Sequence, residues 1–506
     1  MNTDTSQAKP QNSPQLVQFG EPLPLAVQEF LRTSNPWWQG SPMADPPPFR
    51  RWMFEPTLQR FKKGMTPAVV LRGTRQVGKT TLQQQIIHHL LHEEGVAPNR
   101  ILRVQFEQVP ELQNLQWAFL AVSHWFERNV LGETFNTWGN KKQPAYLLFD
   151  EAQIVPYWET QLKMLVDHHT VRVLLTGSSA FRIEKGRDSL AGRITTIDVN
   201  TLKLREIAAL RGWGELPPLL PFNGWGPLKE QEFWEELREH GKRHKKVRDK
   251  AFAAFSERGG YPVPQIHHEL SWKDTSDYLE KTIIRRVIEH DLGLERNQNL
   301  LEALFQLTCR YAGQTPGKSV LLGELQQALL SNTNWEDVNS HLRLLNDTLL
   351  IRLVRPLEIR LKRQKGNPDK ICLADHSLRA SWLQEQVPLT PTGLQKAPHL
   401  GHLAGFLAEN IAGYYLSVIA QSLTWFPARK TQPEVDFILT LGQYRVPMEV
   451  KYRHTIKERD TKNLRAFLDN AIFNAPFGIL LTLTDDVKIS DKRIVALPLS
   501  SLLLMR

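Results

Sequence analysis

The stretch AVVLRGTRQVGKTTL, residues 68–82, decides the fold. Val69, Val70 and Leu71 form a short apolar run, Gly73-Thr-Arg-Gln-Val-Gly78-Lys79-Thr80 follows, and Leu82, Ile86 and Ile87 then recur at helical spacing. A strand, a glycine-bounded turn and a helix in that order give the pattern G-x-x-x-x-G-K-[ST] the context it requires. Gly73 and Gly78 allow backbone conformations closed to other residues, so that successive N–H groups turn inward around a phosphate. The helix starting near Lys79 adds the positive end of its dipole to the same anion. Lys79 suits the β- and γ-phosphates, and Thr80 offers a hydroxyl to magnesium. The candidate nucleotide contacts are therefore Gly73, Thr74, Arg75, Gln76, Val77, Gly78, Lys79, Thr80 and Thr81.

Outward from this loop, apolar runs at 101–106, 146–149, 171–175 and 195–199 alternate with helical segments. That rhythm predicts an α/β fold, a parallel sheet covered by helices on both faces. The run Tyr146-Leu-Leu-Phe149 ends in Asp150-Glu151. Its strand is expected beside the one that carries the loop. Asp150 at the tip then holds magnesium through water, and Glu151 polarises the attacking water. The next strand ends Thr176-Gly-Ser178-Ser179, where Ser178, or else Thr176, can report the γ-phosphate. A Ser/Thr turn capping the following helix is the other reading. Arg193, in Ala191-Gly192-Arg193, can reach a neighbour's nucleotide as an arginine finger, which requires a homo-oligomer; a surface ion pair is the alternative.

The chain of 506 residues is too long for one core and predicts three or four domains. Its formal charge of +10 points to an anionic partner, nucleic acid ahead of membrane. Two cysteines, Cys309 and Cys372, exclude a disulfide framework and read as thiols in a reducing cytosol. No apolar run approaches the roughly 20 residues of a membrane span, and the N-terminus lacks the order of a secretion signal; a cytoplasmic protein is expected. Residues 1–50, rich in Pro, Gln, Ser and Asn, read as a disordered tail with one amphipathic piece at 27–31. Trp37 and Trp38 are odd in such a tail and are candidates to pin it to the body.

Residues 51–203 form the expected core and 204–295 a helical lid. The third block, 296–386, gives three helical segments and then extended pieces at 349–354, 359–361 and 371–373, the outline of a winged helix. Eight Lys/Arg stand against three Asp/Glu from Arg343 to Lys370. Arg352, Arg355, Arg360, Lys362, Arg363 and Lys365 concentrate in the wing, where phosphate contact is expected, DNA ahead of RNA. The second basic cluster, at 242–248, reads first as a solvated face. A Pro-rich bridge at 387–398 opens the last block, 387–506.

RGTRQVGKTTL, LLFDEAQ, LLTGSSA, AGR and Gly259-Gly260-Tyr261-Pro262 resemble, in this order, the motifs of prokaryotic AAA-type ATPases. The likeness is to the archaeal ATPases and, more distantly, to signal-transducing NTPases with a Gly-x-Pro element. It runs from about Trp52 onward. It implies a P-loop AAA-type sheet with a helical lid, ATP and Mg²⁺ as cofactors, ATP hydrolysis, Gly260 and Pro262 against the nucleotide, and Gln153 behind the catalytic acid. A helix-ending turn is the other reading of residues 259–262. No Asn-Lys-x-Asp motif occurs, which favours ATP over GTP.

In the same family the C-terminal half resembles the PD-(D/E)XK, restriction-endonuclease-like α/β fold. Glu409 in a helical stretch, Asp436 in Glu434-Val-Asp436 and the pair Glu449-Val-Lys451 carry that likeness. Two residues apart on a strand, Glu449 and Lys451 share a face, and Asp436 can meet them from the adjacent strand. Asp436 and Glu449 would hold Mg²⁺ or Mn²⁺, and Lys451 would orient and deprotonate a water. The overall expectation is an ATP-hydrolysing protein that engages nucleic acid, with metal-dependent cleavage as an added activity. The alternative is a non-catalytic switch whose ATP state governs assembly or a protein partner.

Overall fold

The computed structural model describes residues 23–177, 187–221, 224–291, 297–330, 332–358, 367–420, 422–428 and 433–506. They divide into two compact units, one of residues 23–72 with Lys79–Val199, the other of Gly73–Gly78 with Asn200–Arg506.

The first unit is built on β1 (Ala68–Arg72), β2 (Ile101–Gln105), β3 (Ala145–Asp150), β4 (Val171–Gly177) and β5 (Ile194–Asp198). All pair in parallel, in the order β2-β3-β4-β1-β5. Such sheets are covered on both faces, and β3 is buried at every residue. The expectation that the acid-tipped strand adjoins β1 is corrected: Val173 of β4 pairs with Ala68 on one side and Leu147 on the other. Both β3 and β4 have a buried apolar middle, 146–149 in one and 173–175 in the other, and nothing in such a run tells which lies nearer the loop strand.

The tail needs correction too, because its described part is ordered. Helix α1 (Leu25–Ser34) buries Val27 and Leu31 in a core with Leu102 and Val104. Beyond it, the Asn35 side chain accepts from the Arg103 N–H at 2.7 Å and donates to the Arg103 carbonyl at 2.9 Å. Trp37 and Trp38 both donate their indole N–H to the Ile101 carbonyl, at 3.1 and 2.8 Å, so they do anchor this segment. A few well-placed side chains outweigh its polar composition. Helices α2 (Phe54–Lys63) and α3 (Lys79–His92) flank β1 in the chain.

In the second unit, α4 (Gln231–Arg243) and α5 (Lys245–Arg258) precede α6 (Gln298–Arg310), α7 (Lys318–Leu329) and α8 (Trp335–Asp347). The antiparallel ribbon of β6 (Ile351–Val354) and β7 (Lys370–Leu373) follows, then α9 (His376–Leu383) and α10 (Gly401–Ile419). The last elements are β8 (Leu423–Phe426), β9 (Val435–Leu441), β10 (Tyr444–Lys451), α11 (Lys462–Leu468), β11 (Gly478–Thr482) and β12 (Ile494–Pro498). Their sheet has the order β12-β11-β10-β9-β8 and is mixed: β10, β11 and β12 are parallel, while β8, β9 and β10 are antiparallel neighbours.

The blocks at 204–295, 296–386 and 387–506 all lie in this unit. Arg248 of α5, almost wholly buried, meets both carboxylate oxygens of Asp485 at 2.7 and 2.8 Å and the Ser501 hydroxyl at 2.8 Å. Gly241 of α4 lies where any Cβ would strike Ser501. The Leu220 N–H donates to the Met505 carbonyl at 2.7 Å. The basic cluster at 242–248 is engaged in ion pairs: Lys242 with Glu239, Arg243 with Glu236, Lys245 with Asp485.

The basic ribbon requires one further correction. Lys370, the last of the eight Lys/Arg counted above, has a side chain only 1% exposed and turns inward. Arg360, Lys362, Arg363 and Lys365, the extended piece at 359–361 and Ser178 lie outside the described residues. Among the described residues no helix is long and apolar enough to cross a membrane.

Candidate functional site

In the first unit, Lys79 is the first residue of α3 and is buried. Its neighbour Thr80 places Oγ1 3.1 and 3.3 Å from the two carboxylate oxygens of Asp150 at the tip of β3. The intervening strand β4 supplies Thr176, whose hydroxyl donates to Asp150 Oδ1 and accepts from the Glu151 N–H at 3.3 Å. Arg103 of β2 approaches Asp150 at 3.9 Å. Burial pushes the Asp150 carboxyl above its ordinary range, and the Thr176 hydrogen bond and the Arg103 charge act against that. Glu151 stands in the left-handed region at φ 52°, a sparsely populated conformation for a side-chain-bearing residue. The Gln153 amide donates to Glu151 Oε2 at 2.6 Å, which fits its expected position behind the acid.

Thr81 is the third residue of α3. Arg193 forms a two-pronged pair with Asp167, at 2.7 and 2.9 Å, as the ion-pair reading expects.

In the second unit, the loop Gly73–Gly78 puts Gly78 at φ 92° and Gln76 at φ 63°, while Gly73 needs no left-handed backbone. Val77 is buried. Thr74 Oγ1 lies 3.1 Å from the hydroxyl of Tyr261, a fully buried side chain. The preceding Gly260 N–H donates to Asp375 Oδ2 at 2.6 Å. Gly259, at φ 72°, ends α5 with Asp375 and Ser377 filling the space a Cβ would take. Residues 259–262 thus end a helix, as one reading had it, and also meet the loop through Tyr261. Pro262 begins the short helix Pro262–Ile266.

The same unit gathers the C-terminal candidates. Lys451 Nζ lies 2.5 Å from Glu449 Oε1 on β10. Asp436 of β9 accepts the Val450 N–H at 2.8 Å. Glu409 of α10 accepts from Lys370 Nζ at 3.0 Å, and Asp436 Oδ1 stands 3.6 Å from the same ammonium. Burial first, then the Asp436 charge, pushes Glu409 and Glu449 up to about 8. Burial alone would lower Lys370, but Asp436 and Glu409 reverse that and hold it above its ordinary value.

Sequence reasoning gave Thr176 second place and missed Arg103, Tyr261, Asp375 and Lys370. Arg103 and Lys370 had one visible signal, a lone cation inside or at the start of an apolar strand.

The loop between β1 and α3, with Asp150 and Glu151 after β3, defines a P-loop domain of AAA type. Residues 65–208 match the AAA domain family. Residues 404–502 and 249–388 match two domains of unknown function, DUF4143 and DUF8612. The chain is 31% identical over 140 residues to an uncharacterized protein of Methanocaldococcus jannaschii, a match covering 27% of each. Among solved structures it is similar to the Walker-type ATPase of Pyrococcus abyssi, at 16% identity and TM-score 0.39, over 66% of this chain and 96% of that one. A second is the Aeropyrum pernix Orc1 protein in complex with DNA, at 10% identity and TM-score 0.28, over 67% and 94%. A third is domain III of the Thermotoga maritima replication initiation protein DnaA, at 14% and 0.21, over 36% and 75%.

Proposed function

We propose that the chain binds ATP at residues 73–81 and hydrolyses it, with Lys79 on the phosphates and Glu151 orienting the attacking water. The observation that carries this reading is the hydrogen bond between Thr80 and Asp150, with Lys79 next to Thr80 on the helix that follows the loop. A hydroxyl and a buried carboxylate held together are the oxygen donors magnesium prefers, so Thr80 and Asp150 would hold Mg²⁺. Bound there, the ion neutralises charge on the phosphates. Thr176 steadies the Asp150 carboxylate, and Gln153 steadies Glu151. The test is phosphate release by the full chain. Lys79→Ala should lose both nucleotide binding and turnover, whereas Glu151→Gln should keep binding and lose turnover by about 10²-fold or more. Wild-type turnover in both variants overturns the reading.

Nucleic-acid engagement, DNA ahead of RNA, belongs to the same proposal. It is supported by the order of three helices and an antiparallel ribbon and by Arg343, Arg352 and Arg355 on or beside those elements. Binding should weaken steeply with salt. An arginine finger from Arg193 in a homo-oligomer and nucleotide contact by Pro262 are proposals resting on the family likeness.

The second reading, phosphodiester cleavage by Asp436, Glu449 and Lys451 with Mg²⁺ or Mn²⁺, is favoured by the gathering of these residues with Glu409. The fit to a divalent ion is poor as the residues stand. Lys370 and Lys451 already take up carboxylate oxygens, and among the described residues no group of three His, Cys, Asp or Glu side chains could hold a metal ion. We derive no cleavage step from this arrangement.

A further inference from the structure

We propose that the acid cluster of the second unit carries its cation within the chain: the Lys370 ammonium takes the place of a divalent ion between Glu409 and Asp436 and excludes Mg²⁺ and Mn²⁺ while it stays seated. This inference rests on the geometry of the cluster and is independent of the ATPase reading.

Glu409 Oε2 and Asp436 Oδ1 face Lys370 Nζ at 3.0 and 3.6 Å. Asp436 Oδ2 is held by the Val450 N–H, and Glu449 Oε1 by Lys451. Glu449 Oε2 is buried with no hydrogen-bond partner among the described residues. Lys370 also lies 4.7 Å from the centre of the Phe437 ring. An ammonium enclosed this fully stays charged only with its counter-charges in place, so the acids cannot be taken from it cheaply. A divalent ion on the same oxygens would sit about 2.0–2.2 Å from them, pressing two like charges together in a water-poor site. Ion and ammonium are therefore alternatives.

The strand that delivers Lys370 is firmly placed. β7 pairs with β6 along its length, from Val354 opposite Lys370 to Ile351 opposite Leu373. Gly413 brings α10 so near that a Cβ there would strike Cys372 and Phe437. Withdrawal of Lys370 means moving this ribbon strand, not turning one exposed side chain.

The experiment is a Mn²⁺ titration of the full-length, nucleotide-free protein, read by the electron paramagnetic resonance signal of the free ion. Wild type and Glu449→Gln should take up Mn²⁺ equally. Lys370→Met should gain one ion per chain, bound at least tenfold more tightly than any Mn²⁺ on the wild type, and the gain should vanish in Lys370→Met/Glu449→Gln. Lys370→Arg, which keeps a cation, should gain none. A wild-type ion that Glu449→Gln abolishes overturns the proposal, as does a folded Lys370→Met protein that gains nothing. If Lys370→Met does not fold, the comparison of wild type with Glu449→Gln decides alone: equal uptake supports the proposal and unequal uptake refutes it.

Discussion

The hydroxyls of Thr74 and Tyr261 lie 3.1 Å apart, although the residues are 187 positions apart in the chain. One belongs to the glycine-bounded loop between β1 and α3 and the other to the turn that ends α5. Tyr261→Phe keeps the ring and removes the hydrogen bond, worth about 1 kcal/mol. Steady-state ATP hydrolysis should show a several-fold higher KM with a smaller change in kcat. An unchanged KM would mean that Tyr261 does not help to set the loop.

Thr176 joins β4 to both acids, donating to Asp150 and accepting from the Glu151 N–H. Thr176→Val preserves shape and leaves Asp150 short of a donor in a buried place, a cost of about 1–3 kcal/mol. Denaturant unfolding should register that loss, and turnover should fall with it. Thr176→Ser should recover most of both.

Arg248 and Asp485 tie α5 to the C-terminal sheet region. The Arg248 and Lys245 hydrogen bonds overcome the effect of burial and hold the Asp485 carboxyl down at about 2 against an ordinary 3.8. A carboxyl depressed on folding stabilises the folded state above its unfolded value, and that contribution is lost as the pH falls through the folded value. Asp485→Asn should therefore lower the thermal midpoint near neutral pH, by the equivalent of about 3 kcal/mol, because buried Arg248 loses the more buried of its two carboxylates and keeps only the half-exposed Asp249. The gap to wild type should hold down to about pH 4 and close progressively toward pH 2. A gap that stays constant across that range would contradict the assignment.

Gly259 combines φ 72° with the Asp375 and Ser377 side chains where a Cβ would sit. Gly259→Ala should cost well over the ~1 kcal/mol of a simple helix-end substitution, since both backbone and neighbours must shift. Thermal unfolding should show the loss, and Gly401→Ala, which adds a Cβ in open space, serves as the control.

What could be read from the chain was contiguous. The loop motif and the acids after β3 need only neighbours in sequence, and their elements lie where the apolar runs put them. Strand order was not legible, because β3 and β4 both have buried apolar middles, and neither middle carries a mark of rank. Lys370 looked like part of a basic ribbon, since four residues of β7 give no face pattern and its partner Glu409 lies 39 positions on. The segment around Asn35 looked unstructured because composition averages over the few side chains that bind it.

β2 is the outermost strand of its sheet, with β3 on one flank. On the other flank, Asn35 satisfies the peptide groups of Arg103 while the paired indoles take the Ile101 carbonyl. An open strand border invites a strand from another molecule, and this splint closes it with side chains. Without it, the sheet would offer its flank to any passing copy, and strand pairing between molecules would have an open template.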